Sequence, residues 1–254
     1  MVQITVTPER AAMTDDQPRS PDALLNAVLA YRPGLMLDVQ PRYVTGGSAD
    51  GGGAFALTNL ADTTRLVPAG NLKPVLVNSN KDLQFGLDTP LVHEAERQHD
   101  MTGQYSIAWV SRLADGQGGP IVGNRLGTAT SSWVGFDITS SILVVYHAGV
   151  LRAAFDTPQD DGLVHSYIVS VKPSGEVAFY IDGTYIGSQI AAITAWGVNG
   201  QLMVGGYGDD AADGFLNGGR LRAAVVIPGR ALKEAANADE LAAVKAWLAA
   251  VKAR

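Results

Sequence analysis

The sequence predicts an all-β sandwich of two antiparallel sheets, with one N-terminal and one C-terminal flanking helix. Three observations predict it. From Gln104 onward, short runs rich in β-branched and aromatic residues recur at steady intervals, separated by turn residues. No helical pattern alternates with these runs, which argues against a parallel βαβ architecture. The apolar spacing becomes helical only towards the two ends of the chain.

Taken in order, residues 1–20 read as an arm and residues 21–254 as a single domain. "QITVT" alternates like a short strand, and "PERAAMTDDQPRS" is polar and rich in turn residues. Such arms become ordered on a partner. A frayed terminus or an extra edge strand is the competing reading. A helix follows, with Ser20 as its cap and Pro21 at its first position. Leu24, Leu25, Val28 and Leu29 give it one apolar stripe, and "YRPG" ends it. Next come short strand candidates at "LMLDV", "AFALTNL", "PVLVN" and "LQFGL", with a glycine-dense loop at "TGGSADGGG". The regular series is "QYSIAWVSRL", "PIVGNRL", "SWVGFDIT", "ILVVYHAG", "RAAFD", "HSYIVSVK", "EVAFYI", "TYIGSQI", "LMVGGYG" and "RLRAAVVI". Asp182-Gly183 joins two of these runs as a two-residue type I′ hairpin, because both residues tolerate φ > 0. The closing helix carries Leu241, Val244, Leu248 and Val251 on one face with Trp247 beside it. Asn237 with Glu240 three positions on predicts a capping pair at its start.

Bulk properties narrow the function. At 254 residues, with 46% apolar and 17% charged residues, the chain has enough apolar content for a sizeable core. Its formal net charge is −6 and no Lys/Arg cluster stands out, so no nucleic-acid partner is expected. With no cysteine, disulfides and thiolate metal sites are excluded. "MVQITVTPER" lacks a basic segment followed by an apolar one, and no apolar run is long enough for a bilayer. Synthesis in the cytoplasm without membrane insertion is the expectation.

Four stretches carry a family resemblance. They are "YSIAWVSRL" (Tyr105–Leu113), "DGLVHSYIVSVKPSGEVAFYIDGTYIGS" (Asp161–Ser188), "LMVGGYG", and "FLNGGRLRAAVVIPGRALKEAANADELAAVKAWLA" (Phe215–Ala249). In order and spacing they resemble the laminin-G-like, or concanavalin A-like, jelly roll, over roughly Leu72 to Ala253. "LLNAVLAYRPGLMLDV" and "NLKPVLVNSNKDLQFG" resemble the lead-in of virion-associated members. The chain departs from the pattern at Val164, where the family has Trp, and at Ser166, where it has a second His. The resemblance implies two curved antiparallel sheets packed face to face. Its members include sugar-binding modules, adhesion domains, virion proteins and some glycoside hydrolases, so the site must decide among them.

Hydrolases of this fold carry Glu-x-Asp-x-x-Glu on one strand. The six glutamates here, Glu9, Glu94, Glu96, Glu176, Glu234 and Glu240, include no pair five positions apart. A non-enzymatic protein is therefore expected. His93, Glu94 and His99 have the wrong spacing for a helical zinc site and read as a solvated polar loop. His165 reads as structural, with no partner carboxylate in view. Asp182 reads as a turn residue and Glu176 as a lone acid. Of Trp109, Trp133, Phe179 and Tyr180, one exposed ring for sugar stacking is allowed for.

The acidic loop "YGDDAADGFLNG" is the candidate ligand site, with Tyr207, Asp209, Asp210, Asp213 and Asn217. Asp209, Asp210 and Asp213 supply hard oxygen ligands suited to Ca²⁺. The loop is not an EF-hand, because its third position is Ala211 and its twelfth Arg220. A solvated acidic loop without metal is the other reading. "DTPQDDG" (Asp156–Gly162) has the same two readings. The resulting expectation is a structural or adhesion protein of a phage-like particle: a head decoration, head spike or tail-fibre component. It would be oligomeric on the particle, attached to other virion proteins through the arm, and would expose its sandwich to a cell-surface glycan. The alternative is a free carbohydrate-binding lectin module, extracellular or on the cell surface, with or without Ca²⁺.

Overall fold

The computed structural model describes residues 21–45, 55–69, 74–79, 81–86, 89–94, 101, 103–125, 132–137, 139–192, 201–207 and 218–254. The first half contains α1 (Pro21–Leu29), β1 (Leu35–Asp38), β2 (Val44–Thr45), β3 (Ala56–Thr58), β4 (Arg65–Pro68), β5 (Val75–Val77), β6 (Asp82–Gln84), β7 (Leu91–His93), β8 (Tyr105–Arg112) and β9 (Gly119–Arg125). The second contains β10 (Trp133–Phe136), β11 (Ile142–His147), β12 (Val150–Pro158), β13 (Val164–Val171), β14 (Glu176–Ile181), β15 (Thr184–Ile190), β16 (Gln201–Val204), β17 (Arg220–Pro228) and α2 (Ala238–Lys252).

Among the described residues these strands form two antiparallel sheets, and the chain is the all-β sandwich with two flanking helices that its sequence predicts. The first sheet runs β15-β14-β13-β8-β17-β6-β5, with β1 sharing the far edge of β17. The second runs β12-β11-β10-β9-β16-β7-β4-β3-β2. Strands β2, β4 and β7 carry too few residues for an alternating signal, and no expectation had placed a strand at β4 or β7. Strand β12 is longer than "RAAFD". It extends through Pro158 and takes up the first half of the acidic stretch at Asp156–Gly162.

Both faces of the first sheet are buried along its central strands. On β8, Tyr105, Ile107 and Trp109 point between the sheets, while Ala108 and Val110 lie under the helices. Strand β13 does the same with Tyr167 and Val169 on one side and Ile168 on the other. Trp109 stacks on Tyr167 at 5.2 Å and meets Phe136 of the opposite sheet edge-on at 5.8 Å. Val244, Trp247, Leu248 and Val251 of α2, with Leu24, Leu25 and Val28 of α1, cover the outer face. Two serines on that face are paired. Ser106 Oγ donates to Arg230 O at 3.1 Å and accepts from Leu232 N at 2.9 Å, and Ser170 Oγ accepts from Lys233 N at 3.0 Å. The two serines therefore dock the segment leading into α2.

The C-terminal end of α2 is pinned by arginines. Arg222 on β17 donates from Nε to Asp82 at 2.7 Å and from Nη1 to Lys252 O at 2.9 Å, satisfying a carbonyl that the helix end leaves open. Arg254 grips Asp38 with both terminal nitrogens, at 2.7 and 2.9 Å. At the other end of α2 the expected capping pair does not form. Asn237 donates its side-chain amide to Ala231 O, and Glu240 turns inward to Arg230 at 2.9 Å. Burial raises the Glu240 carboxyl above its ordinary value, and Arg230 draws it back down. An inward ion pair at a packed position has displaced the local cap.

Asp82 and Arg222 are 2% and 5% exposed, so removing one leaves the other as a buried, uncompensated charge. Arg222→Ala is expected to lower the unfolding free energy by about 3–5 kcal/mol in a denaturant titration. Arg222→Met combined with Asp82→Leu is expected to recover part of that loss, since no charge then stays buried.

Candidate functional site

The hairpin tip between β14 and β15 takes the conformation that its Asp-Gly pair favours, with φ of +50° at Asp182 and +76° at Gly183. The turn does not account for everything Asp182 does. Its Oδ1 accepts from Ser166 N at 2.9 Å, and its Oδ2 faces His165 Nδ1 at 2.7 Å and Lys252 Nζ at 2.7 Å. The other ring nitrogen of His165 faces Asp161 Oδ2 at 3.0 Å. The expectation that His165 has no carboxylate partner is corrected: the turn before β13 supplies Asp161, pairing of β13 with β14 supplies Asp182, and docking of α2 adds the Lys252 ammonium. Glu176 is likewise not a lone acid: Lys172 holds it at 2.7 Å. A signal for the Asp182 contact existed. The short Lys172–Glu176 turn sets a register that places Asp182 across from Ser166, beside His165.

The electrostatics follow from these contacts. Burial pushes the Asp182 carboxyl up, but Lys252, Ser166 N–H and His165 together hold it below the ordinary aspartate value. For Asp161 the sequence of effects is similar: burial raises it, and the Leu163 N–H and His165 outweigh that. Both ring nitrogens of His165 are therefore engaged by carboxylates of the protein itself. The Ser166 hydroxyl is directed at Asp182 at 3.3 Å rather than at the histidine. The cluster clamps the hairpin to α2. Beside it lies a cleft of about 330 Å³ lined by Ser166, Asp182, Gly183, Lys245, Ala249 and Lys252.

Of the expected ligand residues, Asp209, Asp210, Asp213 and Asn217 lie outside the described residues, as do the arm and His99. Tyr207 is described, at the root of that acidic loop. Its ring stacks on Trp133 at 5.5 Å, and Trp133 stacks on Tyr146 at 4.5 Å on its neighbouring strand. The close approach depends on Gly123, where a Cβ would fall 2.7 Å from Tyr207 Cβ. The second acidic loop divides its carboxylates. Asp160 accepts from Gly116 N, while Asp161 turns to Leu163 N and His165. Among the described residues, no three His, Asp or Glu side chains converge on a metal site.

Two expectations are corrected by burial. His93 is not in a solvated loop but in β7, fully buried, with Nε2 2.7 Å from the Thr64 hydroxyl. The residue just before β4 supplies the polar partner that makes this burial affordable. Trp109, Trp133, Phe179 and Tyr180 are between 0% and 6% exposed, so none presents a free face to a sugar. The exposed aromatic beside the hairpin is Tyr185, at 43%.

No protein-family model matches the chain, and no curated protein matches it. Solved structures do. The receptor binding domain of botulinum neurotoxin D is similar at 10% identity, with a TM-score of 0.56 over 84% of this chain and 53% of that one. The binding domain of Paraclostridial Mosquitocidal Protein 1 gives 14% identity and a TM-score of 0.55 over 85% and 52%. The binding domain of botulinum neurotoxin DC, in complex with rat synaptotagmin II, gives 14% and 0.54 over 85% and 52%. The chain thus spans about half the length of the structures it matches, and at these identities the likeness is one of fold.

Asp182→Asn isolates the clamp's charge, because asparagine also tolerates the left-handed turn. The folded carboxyl lies below the ordinary aspartate value, so its contribution is present above about pH 4 and is lost as pH falls through the depressed value. Unfolding free energies at neutral pH are expected to differ by about 1 kcal/mol, a figure kept small by the side chain's partial exposure. The difference is expected to shrink towards pH 2.

Proposed function

We propose that this chain is a non-enzymatic binding module that presents its sandwich for adhesion. The observation that carries the reading is the double engagement of His165. The histidine best placed for acid–base work is bracketed by Asp161 and Asp182, and the adjacent Ser166 hydroxyl is turned away from it. The remaining geometry is that of a recognition surface: a cleft within the size range of small-ligand sites, flanked by lysines and an exposed tyrosine. The names of the similar structures point the same way, since they are binding domains and one is in complex with rat synaptotagmin II.

The more specific reading is a component of a phage-like particle, oligomeric there, made in the host cytoplasm and attached through residues 1–20. Its support is the sequence resemblance to virion-associated jelly rolls and a polar, turn-rich arm suited to docking. The free lectin stands as the alternative, with Ca²⁺ at Asp209, Asp210 and Asp213 as its discriminating feature.

A glycan array with product analysis tests the general reading. Retention without release of cleaved sugar is expected, and release of product would overturn it. Deleting Met1–Arg19 tests the specific one: the full chain is expected to copurify with particles and the truncated chain to be lost from them. Loss of retention in EDTA would favour the Ca²⁺-dependent lectin.

A further inference from the structure

Over the outer surface of the β14–β15 hairpin stand two ammonium groups that, among the described residues, are in no ion pair. Lys233 Nζ sits 4.0 Å above the centre of the Tyr185 ring, and Lys245 Nζ sits 4.7 Å from that of Tyr180. The two rings are neighbours, 5.4 Å apart. Among the described residues, neither lysine forms an ion pair. The acids close by are already engaged, Glu176 by Lys172 and Asp182 by Lys252, each at 2.7 Å. Burial and the nearby Lys233 charge both lower the Lys245 ammonium below the ordinary lysine value, the direction expected of a cation held without a counter-charge.

Rigid elements hold this arrangement in place. Ser170 fixes the backbone of Lys233, and the packing of Val244 and Leu248 on the sheet fixes the turn of α2 that carries Lys245. Lys245 also lines the cleft with Ser166, Gly183 and Lys252, so the ring shelf and the cleft share a wall. Tyr185, more than two-fifths exposed on an edge strand, offers an open aromatic surface next to both cations. Aromatic rings take the apolar face of a sugar ring, and ammonium groups take an oxyanion.

We propose that this shelf and cleft bind an anionic saccharide, with the acidic group between Lys233 and Lys245 and a pyranose face on Tyr185. The proposal deepens the adhesion reading and rests on it. The shared chemistry is a sugar-borne oxyanion, and the choice among carboxylate, sulfate and phosphate is left to the experiment's arms.

The test is calorimetry on the full chain with four oligosaccharides of equal length: one uronate-containing, one sulfated, one phosphorylated and one neutral. At least one anionic probe is expected to bind more tightly than the neutral one, with affinity falling as salt rises. Lys233→Gln and Lys245→Gln are each expected to weaken that binding about tenfold, the scale of one charge-assisted contact. Tyr185→Ala is expected to weaken charged and neutral probes alike. Unchanged melting temperatures confirm that the variants remain folded. Equal binding of neutral and anionic probes overturns the proposal, as does anionic binding that the Lys233→Gln/Lys245→Gln double variant leaves intact. In either case glycan adhesion itself stands. Failure to retain any glycan on the array would instead remove the glycan form of the adhesion reading, and this proposal with it.

Discussion

The constraint on which this structure depends is the burial of the first sheet on both faces. Strands β8, β13, β14 and β17 are covered by the second sheet on one side and by α1 and α2 on the other. Polar side chains in their middle are then costly unless paired. Alternation therefore gives way to near-continuous apolar runs such as "AAVVI" in β17. Several of the polar groups that persist have a structural use. Ser106 and Ser170 bond the backbone that leads into α2, and Arg222 joins Asp82 to the carbonyl end of that helix.

Because α2 is pinned at both ends, its C-terminal turns meet the tip of the β14–β15 hairpin in one fixed position. That contact adds Lys252 to the His165 cluster and forms the adjoining cleft. If α2 lay elsewhere, Lys252 would be a solvated lysine and Asp182 would keep only its contacts to His165 and Ser166. Together they form a charged clamp whose hydrogen-bonding capacity is largely used within the protein. What remains available to a ligand is the other side of the helix–hairpin junction, where Lys233 and Lys245 stand over tyrosine rings. Clamp and shelf are two products of one docking event, the first closed on itself and the second open to solvent.

The hairpin at Asp182-Gly183, the end of α1 at Arg32-Pro33 and the apolar face of α2 were all legible because each is set by local chemistry: left-handed turn propensity, proline sterics and helical spacing. Strands β4 and β7 were not. Three or four residues give too little alternation to recognise, and each has a partner strand distant in sequence. The Asn237–Glu240 pattern was legible and misleading, because a tertiary partner, Arg230, outcompeted the local cap for Glu240. His93 misled for a similar reason: its polarity suggested solvent, while Thr64 on another part of the chain makes its burial tolerable.

The sequence by itself determined the class of fold, the hairpin, the two flanking helices and the absence of the paired-carboxylate motif of the jelly-roll hydrolases. These depend on spacing along the chain, and spacing is what a sequence records. Only the tertiary structure decided which charges are neutralised. Lys252 reaches Asp182, Arg222 reaches Asp82, and Lys245 is left over an aromatic ring, because the packing of α2 on a twice-buried sheet sets distances between residues far apart in the chain. An ion pair depends on the last few ångströms of that packing, and no periodicity in the sequence encodes them.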